Sequence, residues 1–203
     1  MIISLCGTPG SGKTSVCDIL SKGLGWPVYS IGAIRGKMAQ ERGMTLDEFN
    51  ALGEKESFTD IEVDDYQKAL GEKEDHFVIE GRLAWHFIPH SFKVLLTCDT
   101  QSAAERIYKA RQEDGSDRED EPEYTSVEET KRHIEERMKS DDLRYQKYYG
   151  ISYLNHENYD LVVDTTDLPH SRATARVIIE ALFDRGLIDR ERFSPEILEE
   201  IGL

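Results

Sequence analysis

The chain has 203 residues, and its 40 Asp and Glu against 25 Lys and Arg give a net charge of −15. That length suits one α/β domain with a substantial core rather than two. The acidity excludes a nucleic-acid backbone as partner, because such a partner needs a basic face, and the lack of any apolar run of about eighteen residues excludes a membrane span.

The first apolar run, Ile2 to Leu5, reads as a buried strand, and no signal-peptide pattern precedes it, so a cytoplasmic location is expected. Directly after it comes CGTPGSGKT, which matches G-x-x-x-x-G-K-[ST] at Gly7, Gly12, Lys13 and Thr14. In such a loop Gly7, Thr8, Pro9, Gly10, Ser11 and Gly12 wrap backbone N–H groups around phosphate oxygens, and the following helix N-terminus favours the same anion. Lys13 is expected to reach the β- and γ-phosphates, and the Thr14 hydroxyl to ligate Mg²⁺. Val16, Ile19, Leu20 and Leu24 then recur at helical spacing.

YSIG leads into a helix from about Ser30, a plausible N-cap, to Glu41. Thr45 and Glu48 form a capping box that opens a second helix, and a third is expected from about Thr59 to Leu70. Three helices in succession cannot be one simple crossover, so part of this block is expected to stand beside the sheet. FVIE, Phe77 to Glu80, is the next strand, and KVLLTC, Lys93 to Cys98, another, followed by a helix from Gln101 to Glu113.

Between Glu113 and Glu123, seven of eleven residues are acidic, and Gly115 and Pro122 break any helix, so a mobile surface loop is expected. Ser126 and Glu129 read as a second capping box, opening a long helix that stops at Gly150. YDLVVDT is a fourth clear strand, Ser171 to Phe183 a closing helix, and Ser194 with Pro195 the start of a short final one. Cys6, Cys17 and Cys98 are widely spaced and read as small buried hydrophobes.

Strands alternating with helices behind a phosphate loop imply a parallel sheet of four or five strands with helices on both faces. Ligands then lie beyond the carboxyl ends of the strands. This points to the segment after Glu80, where Gly81 permits close approach and Arg82 is placed to grip a phosphate, while a carboxylate at Glu80 could hold a magnesium-bound water. Ten of the 25 basic residues fall between Arg106 and Lys147. Among them Arg137, Asp141 and Arg144, at i, i+4 and i+7, share one helical face, a spacing that serves an anion site or a salt-bridged surface helix equally well. Arg106 and Arg111 fall on different faces of their helix, which favours Arg111 for the active site and a structural role for Arg106. Trp85, His86 and His90 read as packing.

These motifs, in the order GTPGSGKT, YSIG, KMAQERGMTLDEFN, VIEGRLA, ERIYKAR, R-x-x-x-D-x-x-R, RYQKYYGI and YDLVVDT, resemble those of the compact archaeal-type cytidylate kinases, which are P-loop nucleoside monophosphate kinases. The resemblance covers residues 1 to about 183. It implies a P-loop NTPase three-layer sandwich in one domain, 1–203, with a helical monophosphate-binding insert at about 30–71, a lid at about 111–130 and a tail at about 184–203. By the same resemblance Lys13 and Thr14 handle ATP and Mg²⁺, and Arg111 the transferring phosphoryl group. Ser30, Gly32, Arg35 and Arg82 face the monophosphate, while Arg137, Asp141 and Arg144 contact its phosphate and sugar. Lys13, Arg82, Arg111, Arg137 and Arg144 are thus the expected catalytic cations. The chain departs from relatives at Gly36, where they carry arginine, which leaves Arg35 or Lys37 to grip the acceptor. Asp60 and Asp64 receive no role. The expected partner is a small nucleotide substrate, with neither nucleic acid nor membrane, and the expected state a monomer.

Overall fold

The computed structural model describes residues 1–56, 58–114 and 124–203. Five strands form one sheet in the order β2-β3-β1-β4-β5. They are β1 (Ile2–Gly7), β2 (Val28–Ser30), β3 (Phe77–Glu80), β4 (Phe92–Thr97) and β5 (Leu161–Asp164). Every pairing is parallel, so all five carboxyl ends lie on one edge of the sheet. Central β1 is buried along its whole length, which is why it reads as a continuous apolar run rather than an alternating one.

The strand's two faces feed separate cores. Ile3 and Leu5 pack under α1 (Lys13–Leu24) and α8 (Ser171–Asp184), against Val16, Leu20, Ile178 and Leu182. On the opposite face Ile2 joins Phe77 and Ile79 beneath α4 (Phe58–Lys73), and Cys6 joins Leu95 beneath α7 (Val127–Tyr149). Helices thus cover both faces, giving the expected three-layer sandwich of a P-loop NTPase. The final helix α9 (Pro195–Ile201) returns to the first core through Leu198 and Ile201.

Between β2 and β3 stand α2 (Ile31–Glu41), α3 (Leu46–Gly53) and α4. Their starts follow local chemistry. Ser30 accepts from the Ala33 N–H at 3.2 Å, and Thr45 and Glu48 close the reciprocal box. Two elements escaped the sequence. β2 is three residues long at the sheet edge, too short for a period-2 pattern, and α5 (Ala84–Phe87) is one turn. The second capping box is also shifted. Ser126 accepts from Glu129 N–H, but the Glu129 carboxylate takes the Thr125 N–H at 2.8 Å and the Thr125 hydroxyl at 2.6 Å, two donors from one residue.

Helix α6 (Thr100–Asp114) follows β4. The acidic stretch lies outside the described residues from position 115 through 123, as does that part of the 111–130 segment. Cys6, Cys17 and Cys98 are buried free thiols, as expected. Among the described residues no helix is long and apolar enough to cross a membrane.

Candidate active site

At the carboxyl end of β1 the chain passes so near β4 that a Cβ on Gly7 would lie 2.2 Å from the Leu96 carbonyl oxygen. Only glycine fits that approach. The loop then turns into α1 through Gly12, whose φ of +82° is left-handed and whose surroundings are open. Lys13, the first residue of α1, reaches back to the loop, donating to Gly7 O at 2.9 Å and Thr8 O at 2.7 Å. Burial lowers its pKa to about 7, and the nearby Arg82 guanidinium adds to the effect.

One carboxylate ties two strand ends to the start of α1. Glu80, the last residue of β3, accepts from the Thr14 hydroxyl at 3.1 Å and from the Ser30 hydroxyl at 2.7 Å. Ser30 therefore caps α2 with one lone pair and spends its proton on Glu80.

Beyond Glu80 a buried ionic chain runs from the phosphate loop into the helical block. Arg82 donates Nη1–H to Gly7 O at 2.6 Å and Nε–H to Asp141 at 3.0 Å. Asp141 also takes Arg144 Nη2 at 2.5 Å, and Arg144 Nη1 reaches Asp60 at 2.8 Å. Asp60 shares the same oxygen with Arg35 at 3.0 Å, whose Nε bonds Asn50 at 2.8 Å. Burial alone would raise the Asp141 pKa, but Arg82, Arg144 and Arg137 outweigh it and hold the carboxyl below its usual range. Burial likewise works against the Arg82 charge, and Asp141 more than restores it. Three guanidiniums share two carboxylates here, so the cluster carries an excess positive charge available to an anion.

All of this lines one cleft of about 1040 Å³ at the strand ends. Pro9, Gly10, Ser11, Gly12, Lys13 and Thr14 line it, and Gly7 and Thr8 precede them in the loop. Ser30, Gly32, Arg35 and Arg82 line it as well, with Arg137, Asp141 and Arg144 of α7. Arg35 lines the cleft, whereas Lys37 sits 77% exposed beside Glu41, which decides between the two in geometry. Arg111 also lines the cleft, its guanidinium 4.6 Å from the Tyr124 ring centroid. Arg106 lines it too, against the expectation that the two arginines face apart, because α6 lies along the cleft rim and presents more than one row of side chains. Its structural role holds nonetheless: Nη2 donates to the carbonyls of Thr165 at 2.7 Å and Thr166 at 2.9 Å. Trp85 is packing, with its N–H on Arg82 O and its ring against Tyr159.

Residues 3–144 match the AAA domain family. The cytidylate kinase of Methanocella arvoryzae is 37% identical over 90% of this chain and 97% of that protein. The cytidylate kinase of Methanothermobacter thermautotrophicus is 33% identical over 81% and 95% respectively. The chain belongs to the archaeal cytidylate kinase family. It is accordingly a nucleoside monophosphate kinase, a phosphotransferase of the P-loop class. Among solved structures, a shikimate kinase from Bacteroides thetaiotaomicron superposes with a TM-score of 0.59 at 14% identity, covering 90% of this chain and 98% of its own, which speaks to fold alone.

Among the buried polar residues of this kinase's cleft, the sequence assigned no role to Asn50, Asp60, Asp64 or Gln67. Asp60 and Gln67 lie on α4, whose charged residues dominate the local pattern and conceal which face turns inward. The one available signal was the D-x-x-x-D spacing of Asp60 and Asp64, two positions on a single helical face.

Proposed function

We propose that this kinase transfers the terminal phosphoryl group of ATP to CMP or dCMP, yielding ADP and CDP or dCDP. The observation that carries the reading is that Lys13 and the phosphate loop line the same cleft as Arg35, Arg82, Arg137 and Arg144. An acceptor without a phosphate of its own would leave that second group of cations unused.

The residues fit a triphosphate and Mg²⁺. Gly12 holds a left-handed φ of +82° with open space around it at the start of α1, and the Thr14 hydroxyl and Glu80 carboxylate are hard oxygen donors lying together. Mg²⁺, when bound there, neutralises phosphate oxygens. Lys13 would lie along the β- and γ-phosphates, and Arg111 would approach from the rim of the cleft. Arg82, Arg137 and Arg144 would hold the acceptor phosphate, with Asp141 fixing two of them and facing the sugar.

In the transfer an oxygen of the acceptor phosphate forms the new P–O bond as the γ-phosphorus parts from the β,γ-bridging oxygen, which leaves with ADP. The attacking oxygen is already anionic at neutral pH, so no general base is needed. The protein's part is alignment and charge neutralisation.

The test is turnover of ATP and Mg²⁺ with each common nucleoside monophosphate. Rapid ADP formation with a cytidine acceptor, and far slower turnover without one, is the expected result. ATP hydrolysis indifferent to every acceptor would overturn it.

A further inference from the structure

On α4, Gln67 is 2% exposed, and its Oε1 is buried with no hydrogen-bond partner among the described residues. A buried amide oxygen left in that state is costly unless a ligand partners it. The oxygen sits over Gly81, where a built Cβ would meet it at 3.4 Å, and Gln67 lines the cleft together with Asp64.

The other end of the amide is engaged. Gln67 Nε2 donates to Asp64 Oδ1 at 3.5 Å, and Asp64 Oδ2 accepts the Tyr149 hydroxyl. An ionised carboxylate only accepts, so the amide must turn its NH₂ toward Asp64, since the flipped rotamer would set Oε1 against a carboxylate oxygen. Burial raises the Asp64 pKa to about 6, which still leaves it ionised at neutral pH. The orientation of Gln67 is thereby fixed by chemistry, and Oε1 is left as the unpartnered end of a side chain that lines the cleft.

We propose that Gln67 reads the acceptor base, its Oε1 taking a hydrogen bond from the exocyclic 4-amino group of cytosine, with Asp64 and Tyr149 as positioning residues that hold the amide in this sense. Uracil presents a 4-oxo lone pair at the same point and is repelled. The proposal rests on the CMP or dCMP reading above and adds the residue that separates cytosine from uracil.

The experiment measures kcat/KM for CMP and UMP, and KM for ATP, in wild type, Gln67→Met and Asp64→Asn, each checked for an unchanged thermal transition. Wild type is expected to favour CMP by about 100-fold or more, since an unpaired buried polar group rejects strongly. Gln67→Met, near-isosteric and without an acceptor, should reduce that preference by about 10-fold or more with KM for ATP unchanged. Asp64→Asn can donate to Oε1 and release the amide to flip, so it should raise UMP turnover relative to CMP. This second variant keeps the proposal testable if Gln67→Met does not fold. A CMP-to-UMP ratio that stays at the wild-type value in both folded variants overturns the role of Gln67, as does a wild type that uses CMP and UMP alike. A wild type that turns over neither overturns the CMP or dCMP reading itself.

Discussion

Arg144 and Asp60 meet at 2.8 Å across 84 positions of sequence, and the same Asp60 oxygen holds Arg35 at 3.0 Å. Arg144 is 1% exposed, and among the described residues its charge is compensated by Asp60 and Asp141. Asp60→Ala should therefore leave two buried guanidiniums short of a partner and destabilise the fold by about 3–5 kcal/mol, read as a lower denaturant midpoint. A shift within about 0.5 kcal/mol would mean the cluster is solvated.

Lys13 makes nucleotide binding a proton-linked event. With its pKa lowered to about 7 by burial and by Arg82, the free protein carries a mostly neutral Lys13 at pH 8. A triphosphate favours the ammonium form, so ATP binding at pH 8 should take up as much as one proton. The sign follows: affinity weakens as pH rises above 7, approaching tenfold per unit. Calorimetry in two buffers of different ionisation heat measures the uptake, and Lys13→Met should abolish it. Equal heats in both buffers for wild type would contradict the linkage.

The two ends of the acceptor site should separate kinetically. Arg137→Ala should raise the acceptor KM by about 10- to 100-fold, the value of a lost charge-assisted bond, while KM for ATP moves little. Arg82→Ala should impair both substrates, because Arg82 also holds the Gly7 carbonyl at 2.6 Å. Steady-state kinetics with each substrate varied in turn distinguishes the patterns.

The loop glycines serve different purposes, and substitution should show it. Gly7→Ala sets a Cβ 2.2 Å from Leu96 O and should cost about 3 kcal/mol through forced backbone movement. Gly12→Ala meets nothing within 4 Å but holds φ of +82°, so it should cost only about 1–2 kcal/mol. Thermal unfolding of the two variants gives the order.

What could be read without a structure was whatever depends on neighbours in sequence. The phosphate loop, the capping of α2 and α3, the Gly150 stop and four of the strands are local patterns of hydrogen-bonding groups and apolar spacing, and each stands where it was expected. The loop also led to the expectation of a triphosphate, since its glycines and Lys13 are contiguous. The face shared by Arg137, Asp141 and Arg144 was legible as geometry, but its spacing served a surface helix equally well. Tertiary structure alone decided that this face turns inward onto Arg82 and Asp60, that Arg35 rather than Lys37 reaches the cleft, and that Glu80 gathers Thr14 and Ser30. The physical reason is the parallel sheet: its register aligns the carboxyl ends of strands far apart in the chain, and charges that read as solvated along a helix become partners only when those ends are brought to one edge.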